Sequence, residues 1–349
     1  MKEQLTTDTV VVGAGPIGLE LAVSLKLAGV DYVHLDAGQV GQTVADYPRQ
    51  TRYFSSPERI AIAGVPLVTE DQGKATRERY LAYLQAVALQ FDLAVRTFER
   101  VESVKRDDVT GRFTLVTSRA VVDASRVVLA IGDMHHPRML GVPGEDRANV
   151  SHFFDEPAKY FRQRLLIVGG RNSAVEAALR CARAGAQVSM SYRGAAFDRA
   201  TIKYWLMPEI EALIQHRQVG FYPRTRPTEI RERSVFLEAA EGGGEPTEVP
   251  ADFVLLLTGY TQDKTLFESA GVRLVGDNRA PEHDPETMMT GVPGLYVAGT
   301  AAAGTQNAFK LYIENSHPHV VKIVTSITGR PPAEGRVNTA AKTYGLAES

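Results

Sequence analysis

The stretch "DTVVVGAGPIGLELAVSLKLAGVDYVHLDAG", residues 8–38, decides the fold. A short apolar run meets a glycine turn, apolar residues at helical spacing follow, and after Gly29 a second apolar run ends at Asp36. The order strand, turn, helix, strand is a βαβ unit. Gly13, Gly15 and Gly18 have GxGxxG spacing, and an acid stands about 20 residues on, the pattern of a dinucleotide-binding turn. Gly13 allows the tight turn, Gly15 lets a pyrophosphate reach the backbone and helix start, and Gly18 lets helix and strand pack closely. Asp36 is placed to accept hydrogen bonds from ribose hydroxyls.

The same order returns in "RLLIVGGRNSAVEAALRCARAGAQVSMSYRG", residues 164–194. Gly169 and Gly170 are kept, Ala174 replaces the last glycine, and Arg171 stands at the crowded position. Either the phosphate lies slightly farther off or Arg171 folds outward; in both cases Asn172, Ser173 and backbone amides remain as donors. Ser191, Tyr192 and Arg193 end the second strand where an acidic ribose binder is expected, with Arg199 and Lys203 shortly after. Cations without an acid favour a 2′-phosphate, hence NADPH over NADH. One acidic and one basic discriminator predict two ligands, FAD at the first turn and NADPH at the second, with a hydride passing from nicotinamide to flavin.

Between the units, "KATRERYLAYLQAVALQF" reads as a helix and "RVESVKRD" and "RFTLVTS" as strands. "RVVLAIGDMHHPRMLGVPGED" and "ADFVLLLTGYTQD" are apolar strands running into Gly and Pro segments at the two borders of the inserted unit. The expected fold is α/β, with two Rossmann-like, three-layer ββα domains. Residues 1–134 and 260–349 form a discontinuous FAD domain, and residues 135–259 an NADPH domain. "GVPGLYVAGTAAAG" supports the flavin half, because its strand ends at Gly299 and Thr300, where a helix start faces the ribityl and pyrimidine side. Lys310 either steadies negative charge on a reduced flavin or is a solvated lysine.

The chain has 349 residues, 39 Lys and Arg against 41 Asp and Glu, and one cysteine. Near balance of charge gives no field to draw nucleic acid or an anionic membrane. A single cysteine excludes an internal disulfide, a Cys-x-x-Cys pair and a multi-cysteine metal site within one subunit, and fits a reducing, cytoplasmic setting. Neither a signal peptide nor a membrane helix is indicated. Cys181 lies among Ala177, Ala178 and Ala182 and reads as a small buried packing residue. His135, His136, His317 and His319 sit beside prolines without metal-ligand spacing and are expected to be solvated or capping, with His319 a candidate proton relay. No metal site is expected.

The two glycine turns, the "LAIG" and "LLLTGY" crossings and "GLYVAGT" together resemble the low-molecular-weight thioredoxin reductase superfamily over the whole chain. Those reductases carry Cys-x-x-Cys before the NADPH-domain strand, where this chain has "VSHFFDEPAKYFRQR", so dithiol relay to thioredoxin is excluded. More closely, "YPRQTRYFSSPERIAIAGVPLV", "SHFFDEPAKYFRQRLLIVGGRNSAVEAAL", "YRGAAFDRATIKYWLMPEIEALI" and "IENSHPH" resemble the bacillithiol disulfide reductase (YpdA-type) family.

That resemblance implies FAD held by Gly13, Gly15, Pro16, Ile17, Gly18, Asp36, Ala37 and Gln42. Val101, Ala130, Gly132, Gly299, Thr300 and Lys310 complete the FAD set, with Tyr47 and Phe54 near the isoalloxazine. It implies NADPH held by Gly169, Gly170, Arg171, Asn172, Ser173, Ala174, Ser191, Tyr192, Arg193, Arg199 and Lys203. A homodimer and a domain rotation are implied too, and the acceptor is a low-molecular-weight disulfide or its redox protein partner. Two departures stand out. Members from bacillithiol-making firmicutes have a cysteine after the proline of the first turn, where this chain has Ile17, and thioredoxin reductases have Asp where it has Thr300. Ile17 keeps open a ferredoxin or flavodoxin NADP reductase, which needs no cysteine. A flavin monooxygenase and a redox-sensing module without turnover are the remaining readings.

Overall fold

The opening run folds as strand Glu3–Val12, helix Pro16–Leu27 and strand Tyr32–Leu35 in a computed structural model that describes residues 2–308 and 310–340. Thr9 to Val12 are buried without alternation. The strand pairs in parallel with Tyr32–Leu35 on one side and with Ala120–Leu129 on the other, and its last turns are covered on both faces, which is why the run is apolar throughout. Pro16 sits in the first turn of the helix, where its missing N–H costs nothing, and the helix is buried from Ile17 to Leu25.

Two units divide the chain, one comprising residues up to His136 and from Tyr260 onward, the other Pro137–Gly259. The first is built on a seven-stranded sheet. Its path runs Val95–Arg96, Tyr32–Leu35, Glu3–Val12, Ala120–Leu129, Phe113–Thr117, Val101–Arg106, and Leu295–Val297 also pairs with Ala120–Leu129. Strand Ala120–Leu129 is long enough to fork. Its last residues pair in parallel with Leu295–Val297, while residues 121–124 begin an antiparallel branch through Phe113–Thr117. Helices Pro16–Leu27 and Ile313–Thr328 pack together beside this sheet. Helix Arg77–Gln90 starts where the Thr76 hydroxyl accepts the Arg79 N–H at 3.2 Å, and it buries Tyr80, Tyr83, Leu84 and Val87.

The second unit repeats the βαβ order in strand Arg164–Val168, helix Asn172–Arg183 and strand Gln187–Tyr192. Its five-stranded sheet runs Gly220–Pro223, Gln187–Tyr192, Arg164–Val168, Phe253–Leu256, Val150–Ser151, all parallel. A separate antiparallel sheet of Thr225–Ile230, Ser234–Ala239 and Thr247–Pro250 supplies the third layer. The expected α/β class and pair of Rossmann-like ββα folds are present, one in each unit. Cys181 is fully buried among Ala177, Ala178 and Leu179, and burial pushes its thiol up to about 12, so it is an unreactive packing residue.

Candidate functional site

The first turn is fixed by backbone bonds before any side chain acts. The Gly13 N–H donates to Leu35 O at 2.7 Å, and the Ala130 N–H to Val12 O at 2.8 Å. Gly13 has φ +109°, and a Cβ there would lie closer than 3.0 Å to Ala130 O; one on Gly18 would meet Gly13 O. Gly15 is different: a Cβ there would have nothing within 4 Å. Space is therefore left at the position where a pyrophosphate would approach the helix start. The Asp36 carboxylate ties this loop together, Oδ2 accepting the Ala14 N–H at 2.6 Å and Oδ1 the Gly38 N–H at 2.7 Å. Burial raises its pKa against the lowering effect of these two bonds. His34 lies beneath the turn with Nε2 2.9 Å from Gly13 O, and burial lowers its pKa to about 4, so the ring is neutral and donates that bond. Gln42 donates to Asp46 Oδ1 at 2.8 Å and accepts the Gln39 N–H at 3.2 Å, shaping the loop after Ala37.

Tyr47 opens a row of aromatic rings. Its centroid is 6.2 Å from that of Tyr53, Tyr53 is 4.7 Å from Tyr80, and Tyr80 is 5.8 Å from Tyr83. The Tyr53 hydroxyl is buried with no hydrogen-bond partner among the described residues. Such an orphan would suit a ring system with polar edges, and the open space at Gly15 a phosphate, so the residues fit a flavin dinucleotide. Phe54 is half-buried and its carbonyl accepts from Lys74.

The third side is the end of strand Leu295–Val297. Gly299 has φ +68°, and its N–H donates to His319 Nδ1 at 3.1 Å. Burial lowers the His319 pKa to about 4, with smaller contributions from His283, Lys322 and His317. His319 is thus a neutral acceptor holding Gly299 at neutral pH, which leaves it poorly suited to the proton relay considered from the sequence. Thr300 bonds Asp133, a residue that spacing did not single out. Asp133 is buried, its Oδ2 accepts from Gln306 Nε2 at 2.9 Å, and desolvation raises its pKa despite these bonds. Gln306 Oε1 in turn accepts the N–H groups of Lys310 and Leu311 at 2.9 and 3.0 Å. The Lys310 side chain is exposed. Ala130 and Gly132 follow strand Ala120–Leu129, and Val101 is buried at the start of its strand.

In the second unit, Gly169, Gly170, Arg171, Asn172, Ser173 and Ala174 form one turn into the helix. Arg171 is its N-cap at φ −117°, extended backbone that any residue adopts, so losing glycine there costs no backbone strain. Asn172 Oδ1 accepts the Lys203 N–H at 2.9 Å. Three candidates differ in placement. The Ser191 hydroxyl is fully buried and bonds Thr225 Oγ1 at 2.9 Å, turned into the unit rather than toward the turn. Arg199 pairs with Glu211 at 2.7 Å on the surface. Arg193 is exposed beside the turn, next to the half-buried Tyr192.

The histidines also differ from expectation. His317 is neither solvated nor capping: its Nδ1 lies 2.6 Å from Glu20 Oε2 in the core, and Nε2 lies 3.0 Å from Arg59 O. His135 Nδ1 accepts the Asp263 N–H at 3.1 Å. Among the described residues no cluster of His, Cys, Asp and Glu is arranged to hold a metal, and no helix is long and apolar enough to cross a membrane.

Comparison with known proteins gives the following. The family model described as pyridine nucleotide-disulphide oxidoreductase matches residues 10–299. Bacilliredoxin reductase Bdr of Bacillus subtilis (strain 168) is 34% identical over 321 residues, covering 92% of this chain and 97% of that protein. The structure of bacillithiol disulfide reductase Bdr (YpdA) from Staphylococcus aureus superposes with TM-score 0.87 at 32% identity, covering 93% of this chain and 99% of that one. A ferredoxin–NADP reductase of Ignicoccus hospitalis is 28% identical over 298 residues, covering 84% of this chain and 89% of that protein.

Proposed function

The chain belongs to the pyridine nucleotide-disulphide oxidoreductase family, whose members use a flavin and a nicotinamide nucleotide, and on that premise we propose that it is an NADPH-dependent, FAD-containing disulfide reductase. Its acceptor is a low-molecular-weight disulfide of the bacillithiol kind, or the small redox protein that carries it. The similarity to bacilliredoxin reductase over 92% of the chain supports that class of acceptor.

One observation carries the cofactor reading. The first turn ends on a carboxylate, Asp36, which suits a ribose diol, whereas the second strand of the other unit ends in Ser191 and Tyr192, followed by exposed Arg193, none of them acidic. FAD then belongs to the first turn and NADPH to the second. A bound flavin supplies two-electron chemistry, accepting hydride from a nicotinamide and reducing a disulfide. The chain's residues bind and orient. Backbone amides at Gly15 and the helix start receive the FAD pyrophosphate, Asp36 the ribose, Tyr47 and Tyr53 a ring face and edge. Thr300, fixed by Asp133, and the backbone at Gly299, fixed by His319, meet the ribityl side. In balance, one disulfide, one NADPH and one proton give two thiols and NADP+.

The second reading, a ferredoxin or flavodoxin NADP reductase, is favoured by one residue. Ile17 is apolar, 6% exposed and packed beside Gly299, so no thiol stands at that point of the first turn. Anaerobic reduction by NADPH followed by an acceptor panel separates the two. Reoxidation by bacillithiol disulfide, or by its mixed disulfide with a redox protein, supports the first reading; reoxidation by ferredoxin or flavodoxin alone supports the second.

A further inference from the structure

The two βαβ units close their turns with the same bonds, so their residues can be matched by hydrogen bonding instead of by sequence spacing. The Gly13 N–H donates to Leu35 O at 2.7 Å, and the Gly169 N–H to Ser191 O at 3.0 Å. Likewise the Ala130 N–H donates to Val12 O at 2.8 Å and the Leu257 N–H to Val168 O at 2.9 Å. By this match Ala14 corresponds to Gly170, Leu35 to Ser191, Asp36 to Tyr192 and Gly38 to Gly194. The inward turn of Ser191 follows directly, because its counterpart Leu35 is a core residue.

In the first unit the Asp36 carboxylate bridges positions 14 and 38 by accepting both N–H groups. In the second unit the Tyr192 ring lies against the same two positions. A Cβ added to Gly170 would fall closer than 3.0 Å to three ring carbons, and one added to Gly194 would collide with the same ring. Tyr192 also stacks on Phe197, centroids 5.8 Å apart and planes 25° apart. The ring therefore leaves no room for a side chain at either glycine.

We propose that Tyr192 is the residue that determines which nicotinamide nucleotide this chain accepts, by filling with an aromatic ring the station at which an acid would bind a free 2′,3′-diol. The inference rests on the assignment of the second turn to NADPH and deepens it. An acid at this station would accept from the diol of NADH and repel the 2′-phosphate of NADPH; the ring does neither, and leaves the phosphate to the adjacent Arg193. Gly170 and Gly194 are part of the same device, since neither position tolerates a side chain while the ring is in place.

The test uses the FAD-loaded protein and four variants: Tyr192→Asp, Tyr192→Phe, Gly170→Ala, and Gly170→Ala with Tyr192→Asp, the last restoring the alanine and acid of the first unit. Two quantities are read: kcat/KM for flavin bleaching by NADPH and by NADH, and calorimetric binding of adenosine 2′,5′-bisphosphate against adenosine 5′-monophosphate. Tyr192→Asp is expected to lower the NADPH to NADH ratio at least ~10-fold, the scale of gained or lost charge-assisted hydrogen bonds, while Tyr192→Phe keeps it. Gly170→Ala is expected to weaken binding of both nucleotides in the native background and to cost nothing further beside Tyr192→Asp. An unchanged ratio in Tyr192→Asp, or an equal cost of Gly170→Ala in both backgrounds, overturns the proposal. Should Gly170→Ala fail to fold, Tyr192→Asp keeps both glycines and decides alone. Should the native protein be bleached by neither nucleotide, the reductase reading falls, while the adenosine phosphate pair still decides the role of Tyr192.

Discussion

His317 and Glu20 form a buried pair across the first unit, Nδ1 to Oε2 at 2.6 Å with both side chains at most 1% exposed. The same carboxylate accepts the Ala63 N–H at 3.1 Å and the Asn338 N–H at 3.0 Å, so it joins the helix after the first turn, helix Ile313–Thr328 and the segment that follows it. Arg59 and Glu314, 3.9 Å apart, are buried alongside. Removing one member strands a buried partner. Glu20→Leu and His317→Leu should each cost ~3 kcal/mol or more, whereas the double replacement should cost less than their sum, as measured by denaturant unfolding.

The pair also sets a pH dependence. Burial opposes charge on His317, but the Glu20 charge and hydrogen bond, the Arg59 carbonyl and Glu314 together raise its pKa above 6.5. A raised folded-state value means that its stabilisation is fully present below pH 6.5 and is lost as pH rises through the folded value. Unfolding free energy of the native protein should therefore decline over that upper range. The decline should vanish in His317→Leu; its persistence would show that another group causes it.

His319 has the opposite sign. With its pKa lowered from 6.5 to about 4 by burial, it contributes stability that is present above pH 6.5 and lost as pH falls toward 4, on the order of 3 kcal/mol in all. His319→Leu should flatten the acid limb of the stability curve. At neutral pH it should still cost ~1–3 kcal/mol, because the buried Gly299 N–H then has no acceptor.

The glycines of the first turn should separate into two kinds. Gly18→Ala drives a methyl into Gly13 O and should cost ~2 kcal/mol or more in the apo-protein melt. Gly15→Ala meets open space and should leave the melt within ~0.5 kcal/mol while weakening FAD binding ~10-fold or more, read by flavin fluorescence. Equal effects of both changes on the apo-protein would remove the assignment of Gly15 to a ligand.

Arg193→Ala should raise the Michaelis constant for NADPH far more than that for NADH, since only the former presents a 2′-phosphate. Cys181→Ala should leave flavin reduction and turnover near native values. Loss of turnover with intact folding would make the thiol a participant, against its burial and raised pKa.

Much of this fold was readable because apolar runs, glycine spacing and strand ends are local signals. The strand Glu3–Val12, both helices after the turns and the place of Asp36 at the end of the second strand follow from residues close in sequence. In the second unit, sequence spacing narrows the counterpart of Asp36 only to Ser191, Tyr192 or Arg193. One residue along a strand moves a side chain to the opposite face, so spacing could not tell that Ser191 points inward and Tyr192 matches the position of Asp36. Asp133, Gln306 and Tyr53 were missed for another reason. Their roles depend on partners from distant segments, Asp133 on Gln306 at a separation of 173 residues. The Glu20–His317 pair, 297 residues apart, left no local trace at all, and a histidine beside Pro318 reads as solvated until the helix is docked.

The most direct test of the account is anaerobic mixing of the FAD-loaded protein with one equivalent of NADPH or of NADH. The prediction is rapid bleaching of the flavin band by NADPH, slower bleaching by NADH, and return of the band on adding a low-molecular-weight disulfide with release of two thiols. A flavin that stays oxidised in the presence of NADPH would contradict the proposed reductase outright.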